Sequence, residues 1–80
     1  MPRIWHELGF RFSFYSADGS EPPHVHVTKD NAEAKWCFGT EPPQEARSDD
    51  FNAADRSRVA RIVAQRREQF LEQWRDRFGA

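Results

Sequence analysis

The sequence predicts an α+β domain: a four-stranded antiparallel sheet made of two β-hairpins, with a C-terminal amphipathic helical segment on one face. Three observations predict it. Phe10, Phe12 and Phe14 alternate with polar or amphipathic neighbours, the period of a half-buried strand. HVHVT and AEAKW flank an Asp-Asn pair with hairpin-turn chemistry. Residues 53–78 contain no glycine or proline and carry apolar residues at helical spacing.

The elements follow in chain order as one domain, with strands within 2–38, an acidic loop over 39–51 and a helix, straight or bent, over 52–78. Arg3 to Glu7 pairs with the Phe10 strand through Leu8-Gly9, which sets Glu7 opposite Phe10, His6 opposite Arg11 and Trp5 opposite Phe12. Gly9 supplies a positive φ, whereas Leu8 is a poor turn residue. ADGSEPP, residues 17–23, is a loop, and Pro23 suits a position just before a strand. His24 to Thr28 and Ala32 to Phe38 form the second hairpin. An Asp30-Asn31 turn places His24 with Cys37, Val25 with Trp36, His26 with Lys35 and Val27 with Ala34. A one-residue slip would bury the lysine and the histidines among apolar residues, so the register is well specified.

EPPQEARSDDF, residues 41–51, reads as loop. Asn52 is an N-cap with Asp55 three residues on, and Gly79 suits the helix end. Val59, Ile62, Val63, Phe70, Leu71, Trp74 and Phe78 share half of the helical wheel, with a bend allowed near 65–67. This stripe should cover Trp5, Phe10, Phe12, Phe14, Val25, Val27 and Trp36. Arg66 and Arg67 fall inside it and are expected to snorkel over the sheet edge.

Eighty residues with 38% hydrophobic and 14% aromatic content suit one small globular domain. Cys37 is the single cysteine, so no internal disulfide forms, and a reducing cytoplasm is the expected compartment. No apolar run reaches the roughly 20 residues of a membrane span, and MPRIWHELG has no apolar signal core. The net charge of −1 selects no partner class, but the charge is segregated. Residues 41–55 hold Glu41, Glu45, Asp49, Asp50 and Asp55 against Arg47, and residues 56–80 hold seven arginines against Glu68, Glu72 and Asp76.

One helical segment covers one sheet face. The other face collects His6, Arg11, Ser13, Tyr15, His24, His26, Thr28, Glu33, Lys35 and Cys37. His24 and His26, two apart on a strand, admit three readings. They flank a reacting group as base and acid, with Lys35 or Arg11 holding phosphorane charge, Tyr15 orienting phosphate or stacking on a base, and Glu21 beside His24. They ligate zinc with one of His6, Glu21, Glu33 or Cys37. Or they are solvated strand residues. Cys37 opposite His24 is a thiol–imidazole pair with no evident third residue, and reads as structural.

MPRIW, GFRFSFYS, EPPHVHV, AEAKW, DDFN and the closing helix with Leu71, Trp74 and Phe78 together resemble the DhiT family of small bacterial proteins. Its members are predicted toxins of type II toxin–antitoxin pairs whose neighbour is a DhiA-like antitoxin. The resemblance runs over nearly the whole chain. Arg11, Tyr15, Glu21, Pro22, Pro23, His24, His26, Glu33 and Lys35 stand at the matching positions. The chain departs from the family in having Asp30-Asn31 for a glycine-rich turn and in its acidic 39–50 region. The resemblance implies a toxin with a cognate antitoxin as partner. Joined to the open face, it leads to the expectation of RNA cleavage by metal-free acid/base chemistry of His24 and His26. A His-based zinc domain and a non-catalytic interaction module are the alternatives.

Overall fold

The computed structural model describes residues 3–15 and 20–79, the side chain of Arg3 excepted. Of the expected 17–23 loop, residues 17–19 lie outside the described residues. Five strands and one helix follow in order: β1 (Arg3–Glu7), β2 (Phe10–Ser13), β3 (His24–Lys29), β4 (Ala32–Cys37), β5 (Gln44–Asp49) and α1 (Ala53–Phe78). The sheet is an antiparallel meander, β1-β2-β3-β4-β5. Both predicted hairpins form and join through β2 and β3, with Arg11 opposite Thr28, Phe12 opposite Val27 and Ser13 opposite His26.

The β3–β4 register is the predicted one from His24↔Cys37 to Lys29↔Ala32. Asp30 takes a left-handed φ of 54° at its turn, which aspartate tolerates better than most residues. At the β1–β2 turn, Leu8 and Gly9 both have positive φ, 54° and 84°. A two-residue hairpin demands this even of a leucine, and Leu8 stands 65% exposed.

The strand count is the correction. The expected acidic loop contains β5, so the sheet has five strands, not four. QEARSD lacks any apolar alternation, and its burial is slight. Backbone pairing to β4 holds it there, with Ala34↔Ser48, Lys35↔Arg47 and, beyond a register shift, Trp36↔Glu45. A short charged strand is how an open sheet blunts its edge, and such a strand carries no period-two apolar signal.

α1 runs unbroken over 26 residues, without the allowed bend. Asn52 Oδ1 accepts from the Asp55 backbone N–H at 2.8 Å. Gly79, at φ 73°, ends the helix and donates its N–H to Arg75 O at 2.7 Å. Val59, Ile62, Val63, Phe70 and Trp74 are buried against Phe10, Phe12, Phe14, Val25, Val27, Ala34, Trp36 and Phe38. Burying each large apolar side chain contributes about 1.5–3 kcal/mol.

The two arginines of the stripe do different things. Arg66 lies over the Trp5 ring at 4.5 Å and 3.5 Å from Glu7 Oε1, which also accepts from Trp5 Nε1 at 2.8 Å. That closes the helix over β1, the snorkelling expected at a sheet edge. Arg67 instead donates to the carbonyls of Phe38, Thr40 and Gly39 at 2.9, 3.1 and 3.4 Å. It satisfies backbone acceptors of the β4–β5 connection, which lack a strand partner there.

Candidate functional site

The uncovered face is organised as cross-strand rows. One row reads Ser13, His26, Lys35 and Arg47 across β2 to β5. The next reads His6, Arg11, Thr28, Glu33 and Asp49 across β1 to β5. His26 and Arg47 are two strand spacings apart, about 10 Å. The register thus gathers Arg11, His26, Glu33 and Lys35 on one surface, and Tyr15, just past β2, joins them by stacking on His26. The register also adds Arg47 and Asp49, which the sequence reading left in the loop. The alternation of Arg47 and Asp49 around Ser48 was the available signal, without an apolar side to make it legible.

Tyr15 lies flat on His26, ring centroids 3.6 Å apart and planes 5° from parallel. Its hydroxyl donates to Glu33 Oε2 at 3.2 Å. One face of the His26 imidazole is therefore occupied by the phenol, whose orientation is held from β4. Lys35, opposite His26, sits 3.0 Å from Glu21 Oε1. Arg47 Nε is 3.2 Å from Asp49 Oδ2 and Arg47 Nη2 is 4.0 Å from Glu33 Oε1. Arg11 Nε donates to Thr28 Oγ1 at 3.4 Å. Acidic and basic groups interleave across the face.

His24 departs from the period-two expectation. Its register partner is Cys37, on the outer face, yet the side chain is only 1% exposed. Its ring packs edge-on to His26 at 5.1 Å and tilted on Trp74 at 5.5 Å. Nδ1 lies 3.0 Å from Pro22 O. In the neutral ring that contact selects the Nδ1–H tautomer, since a carbonyl only accepts. The strand's first residue is thus captured by the helix end and the diproline segment. Periodicity alone cannot see this, because Trp74 arrives from the far end of the chain and the adjacent Pro22 carbonyl acts through a hydrogen bond rather than through the strand's alternation.

Cys37 is half-buried and its thiol is free. Zinc would take His24 and His26 as its first two ligands. Among the described residues no group of three His, Cys, Asp or Glu side chains is placed to hold a metal ion. No helix among the described residues is long and apolar enough to cross a membrane.

Comparison with curated proteins finds no match, and comparison with solved structures finds none. The family model described as "Domain of unknown function (DUF4160)" matches residues 9–75, from the Phe10 strand through Trp74, and so spans the whole outer face from β2 to β5. On that match over most of its length, the chain belongs to the DUF4160 family.

Proposed function

We propose that this protein is the toxin of a type II toxin–antitoxin pair and that it acts on RNA at the outer sheet face. The observation that carries this reading is the Tyr15–His26 stack, set directly beside Lys35 and fixed by Glu33. An aromatic platform, an imidazole and an ammonium within one patch suit a single-stranded nucleotide: a π-face for stacking, a proton acceptor and a cation for phosphate.

The geometry divides the histidine pair. His26, half-buried, takes the 2′-hydroxyl proton, and the 2′-oxygen then bonds to phosphorus. The bond from phosphorus to the 5′-oxygen breaks, and the Lys35 ammonium supplies the proton that the leaving oxygen needs. The products are a 2′,3′-cyclic phosphate and a 5′-hydroxyl. Arg11 binds a flanking phosphate. His24, buried behind His26, is a positioning residue that holds the reacting imidazole edge-on.

Induction in a bacterial host tests the reading, with wild type beside His26→Ala and Lys35→Ala. The expected result is growth arrest and RNA fragments with cyclic-phosphate ends in wild type only. Arrest with intact RNA discards the cleavage. No arrest discards the toxin.

A second reading is favoured by the ion pairs Lys35–Glu21, Arg47–Glu33 and Arg47–Asp49. A face whose cations are matched by carboxylates attracts phosphate weakly and suits a protein partner, the antitoxin first. In that case His26→Ala weakens the complex and leaves RNA untouched in both proteins.

A further inference from the structure

Lys35 stands in the middle of the outer face, opposite His26 on β3 and Arg47 on β5. Its ammonium lies 3.0 Å from Glu21 Oε1. The pairs Arg47–Asp49 and Arg47–Glu33 join residues of the sheet itself. Glu21 differs in origin: it precedes β3 and brings a carboxylate to Lys35 from outside the sheet.

The backbone under Glu21 is fixed. Pro22 and Pro23 lock their own φ, and each holds the residue before it in extended geometry, Glu21 included. Pro22 O lies 3.0 Å from Nδ1 of the buried His24. Pro23 O accepts from the N–H of the buried Phe38 at 3.1 Å. Gly39 passes so close that a Cβ there would meet Pro23 Cδ at 3.2 Å. The diproline segment is pinned to the end of β4, so Glu21 leaves Lys35 by turning its side chain, not by moving the chain.

A carboxylate and a phosphodiester are both monoanions whose oxygens accept from an ammonium. The Glu21 oxygen therefore stands where a phosphate oxygen would stand on Lys35. The Glu21 side chain is 50% exposed and that of Lys35 30% exposed. An ion pair so open to water is weak. It lowers the share of molecules whose Lys35 is open, yet it yields to a nucleotide that also stacks on an aromatic ring.

We infer that Glu21 is an internal competitor for the phosphate position on Lys35, an acidic latch that an RNA phosphate displaces. The inference rests on the RNA reading above and adds the residue that sets its affinity. A ligand that places a phosphate on Lys35 is weakened by the fraction of molecules whose latch is open. From the strength of exposed ion pairs, that weakening is about two- to fivefold. The latch acts through Lys35 and not through the net charge of the face.

The test uses the whole chain and a hexauridylate whose 2′-oxygens are methylated, so that it binds without being cleaved. Its Kd is read by NMR at low salt from the amide resonances of His26 and Lys35. Glu21→Gln keeps the size of the side chain and removes its charge, and is expected to tighten binding about two- to fivefold. Lys35→Gln is expected to weaken it, and adding Glu21→Gln to that variant should then restore little. Wild-type binding with no gain, or a loss, in Glu21→Gln overturns the latch and leaves the RNA reading standing. An equal gain with and without Lys35 shows general charge repulsion and overturns it as well. No shift at the outer face in either wild type or Glu21→Gln overturns the latch together with the RNA reading.

Discussion

The ring of His24 rests against Trp74, centroids 5.5 Å apart and planes tilted by 55°, although its strand register assigns it to the opposite face of the sheet from the helix. This contact joins the first residue of β3 to the last turns of α1. It makes one member of the histidine pair part of the packing and leaves the other beside solvent.

His24→Ala should therefore cost stability in the manner of a core truncation, about 2–3 kcal/mol. His26→Ala, at a half-buried surface site, should cost less than about 1.5 kcal/mol, chiefly the stack on Tyr15. Urea titrations of the two variants check the difference. Equal losses would contradict the buried placement of His24.

Tyr15 and Glu33 should be coupled. Their 3.2 Å hydrogen bond is charge-assisted and only partly buried. A double-mutant cycle with Tyr15→Phe and Glu33→Gln should return a coupling of about 0.5–1.5 kcal/mol. Strict additivity would mean that the phenol is not held from β4.

Leu8 occupies a left-handed turn position while 65% exposed. It gains little from burial and carries the strain of a side chain at positive φ. Leu8→Asn should raise stability by about 0.5–1 kcal/mol. A lower thermal midpoint for that variant would show that Leu8 makes a contact worth more than its strain.

Arg67 is mostly buried and serves three successive carbonyls at the end of β4. Arg67→Met should cost about 1–3 kcal/mol by leaving those acceptors without a donor. Arg67→Lys should recover less than half, because one ammonium lacks the planar fork that reaches several acceptors. Full recovery by lysine would show that charge alone matters there.

Wherever apolar residues alternated or recurred at helical spacing, the chain could be read directly. The Phe10–Phe12–Phe14 face, the β3–β4 register, the Asn52 cap and the length of α1 are local properties. A slip of one residue would bury Lys35 or expose Trp36, so few alternatives compete. The outer face follows from the same periodicity, which is why Arg11, His26, Glu33 and Lys35 were legible as one surface.

The remainder depended on contacts between distant segments. β5 exists because the far edge of β4 offers backbone partners, and a charged edge strand needs no apolar pattern to accept them. Arg67 acquired its role from where the β4–β5 connection passes. His24 changed from a surface candidate to a buried ring because Trp74, fifty residues on, packs against it, while the adjacent Pro22 carbonyl holds its Nδ1. Sequence by itself determined which faces are apolar, since that is encoded residue by residue in the period. Tertiary structure alone decided which polar groups those faces enclose, since burial and hydrogen-bond partners are supplied by elements far along the chain.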